Sequence, residues 1–133
     1  MPGALDGIRV LDLTSVVLGP LATQTMGDMG ADIVKIEGPA GDTTRYTGPK
    51  RSADMSALYM GLNRNKRSIV LDLKQGAAKD ALWRLIDTAD VFLHSVRPQA
   101  MERLGFGAEG VCARCPRMGY GGSHGVRVDG PLG

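Results

Sequence analysis

Apolar residues come in short runs divided by helical or polar spacing, and the first such alternation organises the chain. Ile8, Val10, Leu11 and Leu13 form one run. Ile33, Val34 and Ile36 form another, rich in β-branched residues that suit a buried pleated surface. Between them Leu21, Thr25, Met26 and Met29 fall at helical spacing, and Gly30 is placed to end the helix. Strand, helix and strand within about 30 residues predict a βαβ unit, whose right-handed crossover makes the strands parallel. In such sheets ligands collect at the carboxyl ends of the strands. Residues 14–20 and 37–42 therefore stand at the mouth of a candidate site.

Residues 1–7 form a lead-in whose Leu5 can pack under the first strand. Pro20 suits the first turn of the predicted helix over residues 20–30, where a missing N–H costs nothing. Residues 38–67 make a long polar connection without strong periodicity, which in a compact domain points to function. Inside it, residues 56–62 read as a short helix. Ile69, Val70, Leu71 and Leu73 predict a third strand over residues 68–73. Residues 76–89 give the clearest helix: Ala78, Ala81, Leu82, Leu85, Ile86 and Ala89 share one face, and Asp80 and Arg84 are spaced to pair on the other. Val91, Phe92 and Leu93 predict a fourth parallel strand over residues 90–94, and Pro98 opens a short helix to Leu104. Past Gly107 the pattern fades. Residues 109–113 allow a helical turn, and residues 117–121 stand where a fifth strand belongs. Met118-Gly119-Tyr120-Gly121-Gly122, however, offers few side chains to pack. The expectation is an α/β fold, a parallel sheet with flanking helices, incomplete at the C-terminal side.

Composition narrows the function classes. A chain of 133 residues is one domain at most, and sixteen basic against fourteen acidic residues leave a net charge of +2. No such balance argues for nucleic acid or a membrane surface. No apolar run approaches the ~20 residues of a membrane span, and the N-terminus lacks a secretory pattern. A cytoplasmic protein is expected.

Candidate chemistry is sparse. The turn after the first strand has no G-x-G-x-x-G, since Gly27 and Gly30 lie at the wrong end of the helix, so a dinucleotide fingerprint is absent. Arg64, Lys66 and Arg67 put three cations just before a strand, as a solvated basic loop or as part of a rim. Arg97 and Arg103 follow the fourth strand, and cations from separate loops meeting at one rim are what a polyphosphate ligand requires. Cys112 and Cys115 form a lone C-x-x-C that His94 and His124 are not arranged to complete as a zinc site. Reduced cysteines and no metal are expected, with His124 a loop histidine. Asp12 and Asp72, each in a Leu-Asp-Leu strand end, are placed to hold nearby backbone amides rather than to act as acids.

The combination of blocks is more specific than any one of them. Residues 5–14 (LDGIRVLDLT), 30–37 (GADIVKIE), Gly41-Asp42 with Arg45, residues 63–69 (NRNKRSI) with Leu71-Asp72-Leu73-Lys74, Ala89-Asp90-Val91, and Arg97-Pro98 with residues 101–105 (MERLG) occur in order. Together they resemble the amino-terminal part of the class III CoA-transferases, the group that includes formyl-CoA transferase, carnitine CoA-transferase and the α-methylacyl-CoA racemases. The resemblance is strong over residues 5–105, and the tail from about residue 106 matches poorly.

Residues 1–133 would then be the amino-terminal part of a Rossmann-like large domain that binds coenzyme A. The resemblance implies CoA contacts from Ser15, Val16, Val17 and Leu18, from Leu71, Asp72, Leu73 and Lys74, from Ser95, Val96 and Arg97, and from Arg103. Some relatives carry histidine in place of Ser15, many read Asn-Phe at Ser95-Val96, and the usual Arg-Pro-Gly is here Arg97-Pro98-Gln99. Partners implied are an acyl-CoA, a carboxylic acid acceptor and a second copy in an interlocked homodimer. The implied reaction moves CoA between acids through an aspartyl-CoA thioester. Its aspartate would lie past Gly133, so residues 1–133 carry no catalytic residue and the chain alone is expected to be inactive. A racemase of the same fold and a non-catalytic CoA-binding fragment are the alternatives.

Overall fold

The computed structural model describes residues 1–126 with Val128, Asp129 and Pro131. The first unit is β1 (Arg9–Leu13), α1 (Leu18–Asp28) and β2 (Asp32–Glu37). The long connection then folds into a 3₁₀ turn (Thr43–Tyr46), a hairpin of β3 (Lys50–Ser52) and β4 (Met55–Ser56), and α2 (Ala57–Leu62). It is followed by β5 (Lys66–Val70), α3 (Gly76–Ile86), β6 (Val91–His94), α4 (Pro98–Leu104), α5 (Ala108–Arg114) and β7 (Gly119–Gly122). Five strands form one sheet in the order β5-β2-β1-β6-β7, every pair parallel. The strand order reverses at β1, beside β6, and in open sheets the crevice for a ligand opens there, at the carboxyl edge.

Period-two alternation gives the sheet two different faces. Leu11, Leu13, Val34, Ile36 and Phe92 join Leu82, Ile86, Met101 and Val111 of α3, α4 and α5, and Phe106 between the last two helices, in the larger apolar core. On the other face Val10, Ile33, Val91 and Leu93 pack with Met26 of α1 and with Leu5. Toward the carboxyl edge that second face turns polar: Asp12 and Lys35 are fully buried and Glu37 nearly so. Gly30 turns the chain from α1 to β2 at φ +103°, a conformation glycine adopts without a side-chain clash.

The structure corrects the expected elements at several points. Helix α1 begins at Leu18 rather than residue 20, with Pro20 in its first turn. The third sheet strand is Lys66–Val70, not residues 68–73. Its neighbour β2 stops at Glu37, so the ladder ends with the Leu71 N–H donating to the Glu37 carbonyl at 2.9 Å. The glycine-rich fifth strand does form. Tyr120 stacks on Phe92 at 5.3 Å between centroids, and its hydroxyl donates to the Phe106 carbonyl at 2.8 Å. One aromatic anchors a strand whose other residues contribute only backbone. Asp80 and Arg84 form no ion pair among the described residues. Cys112 and Cys115 are both free thiols, and among the described residues no helix is long and apolar enough to cross a membrane.

Candidate functional site

A cleft of about 330 Å³ opens at the carboxyl edge of β1, β2 and β5. Its apolar floor comes from Leu13, Ile36, Leu71, Leu73, Val96 and Leu104, and its walls from Thr14-Ser15, the Glu37–Asp42 loop and Lys74. The floor residues Leu13 and Ile36 belong to the apolar face of the sheet. The walls are fixed from the polar face. A Cβ on Gly19 would fall onto the Thr14 side chain, so only glycine lets α1 start this close to β1.

Two buried ion pairs lie behind the walls. Lys66 Nζ donates to Asp12 Oδ2 at 3.0 Å, to the Pro20 carbonyl at 2.9 Å and to Asn63 Oδ1 at 2.9 Å. Asp12 also accepts from the Thr23 hydroxyl at 2.6 Å, from the Thr14 amide at 2.9 Å and from the Thr14 hydroxyl. Burial pushes the Lys66 ammonium down against the pull of Asp12. Lys35 Nζ donates to Asp42 Oδ2 at 2.9 Å and to the Thr14 carbonyl at 3.0 Å. Asp42 Oδ1 accepts from the Thr44 amide at 3.0 Å, the Thr44 hydroxyl at 2.8 Å and the Val16 amide at 3.3 Å. Burial alone would raise the Asp42 carboxyl, but the Thr44 amide and the Lys35 ammonium hold it below its ordinary range. Charges taken out of water persist only when geometry and hydrogen bonds satisfy them, as both pairs here are.

Glu37 is the third anchor. It accepts from the Asp42 amide at 2.7 Å, Arg45 Nη2 at 2.6 Å, the Tyr59 hydroxyl at 3.1 Å and the Ser68 hydroxyl at 3.1 Å. Its burial opposes ionisation, yet the Arg45 guanidinium and these donors bring the carboxyl down to about 2. Burial and the neighbouring Glu37 charge push the Tyr59 phenol up to about 12. Arg45 also lies over the Tyr59 ring, 3.9 Å from its centroid. All of these groups have structural partners and none forms a nucleophile–base set.

The loop after β1 stores strain. Val16 sits at φ +70°, a left-handed conformation that costs a β-branched residue about 1–3 kcal/mol. Beyond it, α1 starts with no side-chain cap and no acid in its first turn, leaving a positive helix end open to an anion.

The expected site residues divide into groups. Ser15, Leu71, Asp72, Leu73, Lys74 and Val96 line the cleft. Ser95 Oγ accepts from the Ser15 amide at 3.0 Å and joins that wall from β6. Val16, Val17 and Leu18 are exposed beside it rather than in its lining. Arg97 caps the start of α4 and Arg103 stands in its last turn, next to the lining residues Val96 and Leu104. By the rise of a helix, the two arginines lie about 9 Å apart along its axis. Lys74, Arg97 and Arg103 form no ion pair among the described residues; Lys74 lines the cleft, and the two arginines are sequence neighbours of its lining residues Val96 and Leu104.

The basic run at the start of β5 does not share this rim. Arg64 pairs with Asp28 at 2.6 Å, Arg67 with Asp32 at 2.7 Å, and Lys66 is buried against Asp12. All three stand at the amino end of β5 and are consumed by carboxylates. Asp12 and Asp72 do hold backbone amides, those of Thr14 at 2.9 Å and Lys74 at 3.2 Å, but Asp12 is also a buried counter-ion. Sequence reasoning missed Lys35, Asp42 and Glu37 as the scaffold. The available signal was Lys35 itself, a charge between Val34 and Ile36 in an otherwise apolar strand.

Comparison with known proteins settles the lineage. Residues 5–132 match CoA-transferase family III. The chain belongs to that family. It is 44% identical over 133 residues to the formyl-CoA:oxalate CoA-transferase of Streptomyces avermitilis, covering 98% of this chain and 32% of that one. It is 36% identical over 129 residues to the succinyl-CoA:glutarate CoA-transferase of Homo sapiens, covering 96% and 30%. The crystal structure of a CAIB/BAIF family protein from Brucella suis superposes with a TM-score of 0.93 at 32% identity, covering 99% of this chain and 36% of that one. The chain thus spans about a third of the length of each of these relatives.

Proposed function

We propose that residues 1–133 form the CoA-holding part of a class III CoA-transferase, which moves CoA between an acyl-CoA thioester and a carboxylic acid. The observation that carries this reading is the cleft of a CoA-transferase family III chain, apolar in its floor and lined by Lys74, with Arg97 and Arg103 next in sequence to its lining residues Val96 and Leu104. An apolar floor suits the pantetheine arm, and free cations suit the phosphates. Ser15 to Leu18, Leu71 to Lys74, Ser95 to Arg97 and Arg103 are the proposed contacts.

In the proposed reaction an aspartate carboxylate outside residues 1–133 attacks the thioester carbonyl. The acyl group passes to the aspartate as a mixed anhydride and CoA leaves as thiolate. The thiolate then attacks the aspartyl carbonyl, giving aspartyl-CoA and free donor acid. The acceptor acid repeats both steps in reverse and leaves as acyl-CoA. Covalent relay of this kind splits a hard exchange into easier ones. A homodimer in the cytoplasm completes the proposal. Two unpaired cysteines fit a reducing compartment, and exposed Leu21, Met29 and Val70 offer apolar surface to a partner.

The test is a calorimetric titration of the chain with CoA, beside Arg103→Ala and beside an assay with several acyl-CoA donors. A charge-assisted phosphate contact is worth about 1.5–3 kcal/mol, so Arg103→Ala is expected to weaken CoA tenfold to a hundredfold. Added salt should weaken it further. Transfer of CoA between acids by residues 1–133 alone should be undetectable. Absence of CoA binding overturns the reading, and turnover abolished by Asp129→Asn overturns its catalytic part.

A further inference from the structure

The Asp42 carboxylate, in one wall of the cleft, reaches across to the loop after β1, directly at Val16 and through Lys35 at Thr14. Its Oδ2 holds Lys35, which also holds the Thr14 carbonyl, and its Oδ1 accepts from the Val16 amide at 3.3 Å. Val16 is the residue in the unfavourable left-handed conformation, and its own side chain is half exposed, outside the apolar cores that pack the sheet. Something else must hold the turn. Asp42 is itself fixed on its other sides, by the Thr44 amide and hydroxyl and by its own amide on Glu37 at 2.7 Å. Strain of this kind persists only where the surroundings over-determine it, and it gathers at sites that use it.

We propose that Asp42 is a positioning residue for CoA, holding Val16 in its left-handed turn so that residues 15–18 meet the ligand. The inference rests on the CoA reading of the cleft and deepens it. Asp42 touches no ligand in this account; it acts through the backbone of the β1–α1 loop. Replacing Asp42 by asparagine has a specific consequence. Lys35 has three donors and demands the remaining oxygen, which turns the carboxamide N–H₂ toward the Val16 and Thr44 amides. Two donors then face each other and the turn is released. Removing Lys35 as well frees the carboxamide oxygen to face Val16 again.

Two readouts test this on the chain. Amide hydrogen exchange at Val16, measured without ligand, should be slowed in the parent, fast in Asp42→Asn and slowed again in Lys35→Met/Asp42→Asn. CoA affinity by calorimetry should fall at least tenfold in Asp42→Asn and recover to within threefold of the parent in the double variant. In a Val16→Gly background, where the turn carries no strain, Asp42→Asn should cost less than threefold. The double variant lacks both members of the buried pair and covers the case in which Asp42→Asn alone does not fold. Unchanged Val16 exchange in Asp42→Asn overturns the proposal, as does a double variant that folds but stays weak. A parent that binds no CoA overturns the ligand reading instead, while the exchange pattern still decides whether Asp42 holds the turn.

Discussion

One sheet carries two faces that solve the burial problem in opposite ways. The face under α3, α4 and α5 is apolar throughout its centre, with Leu11, Phe92 and Ile86 wholly out of water. The face under α1 changes partway along the strands from Val10 and Ile33 to Asp12, Lys35 and Glu37, all buried and all paired. Apolar packing is non-directional and tolerates repacking, whereas a buried ion pair works only in one geometry. The apolar face therefore stabilises the sheet and lends the cleft its floor. The polar face fixes where the loops of the cleft walls go.

The largest separation between the faces should appear on breaking a pair. Asp12→Leu leaves Lys66 buried without its carboxylate and is expected to cost about 3–5 kcal/mol in urea unfolding. Adding Lys66→Met should recover most of that loss, since an apolar pair of similar size replaces the ions. On the apolar face, Leu11→Ala should cost about 2–5 kcal/mol, and Phe92→Leu added to it should show no such rescue. Rescue on both faces, or on neither, would erase the distinction.

Acid titration separates them next. Glu37 is held at about 2 against an ordinary 4.5, so its contribution is fully present above pH 4.5 and is lost as pH falls toward 2. At about 1.4 kcal/mol per pKa unit the shift amounts to roughly 3 kcal/mol of stability, and the lowered Asp42 adds in the same direction. Glu37→Gln should flatten the stability profile in this window while leaving its shape above pH 6 unchanged.

The sequence made the apolar face readable and the polar face nearly opaque. Runs such as Val10-Leu11 and Ile33-Val34 have a period and a composition that belong to buried strands, and they placed β1, β2 and β6 within a residue or two. Lys66 and Lys35 have no such signature, because a lysine in a list of residues looks the same whether solvated or paired in the core. Lys66 therefore reads like its neighbours Arg64 and Arg67 in the sequence, although its ammonium points inward. The end of β5 is hidden in the sequence because Leu71 and Leu73 look like strand residues yet serve as the floor of the cleft. Strand β7 is faint in the sequence because one stacked tyrosine does the packing that other strands share among several side chains. The site residues carried over by resemblance fell along one edge because the family blocks sit at strand ends.

Mapping CoA onto the sheet by amide chemical-shift perturbation tests the central claim most directly. If the paired charges frame a CoA cleft at the carboxyl edge, shifts will concentrate at Ser15 to Leu18, Gly38 to Asp42, Leu71 to Lys74 and Ser95 to Arg97. Residues 64–67 at the opposite end will stay in place. Perturbations centred on residues 64–67 or on Tyr120 to His124, with the Thr14 and Asp42 amides unmoved, would contradict it.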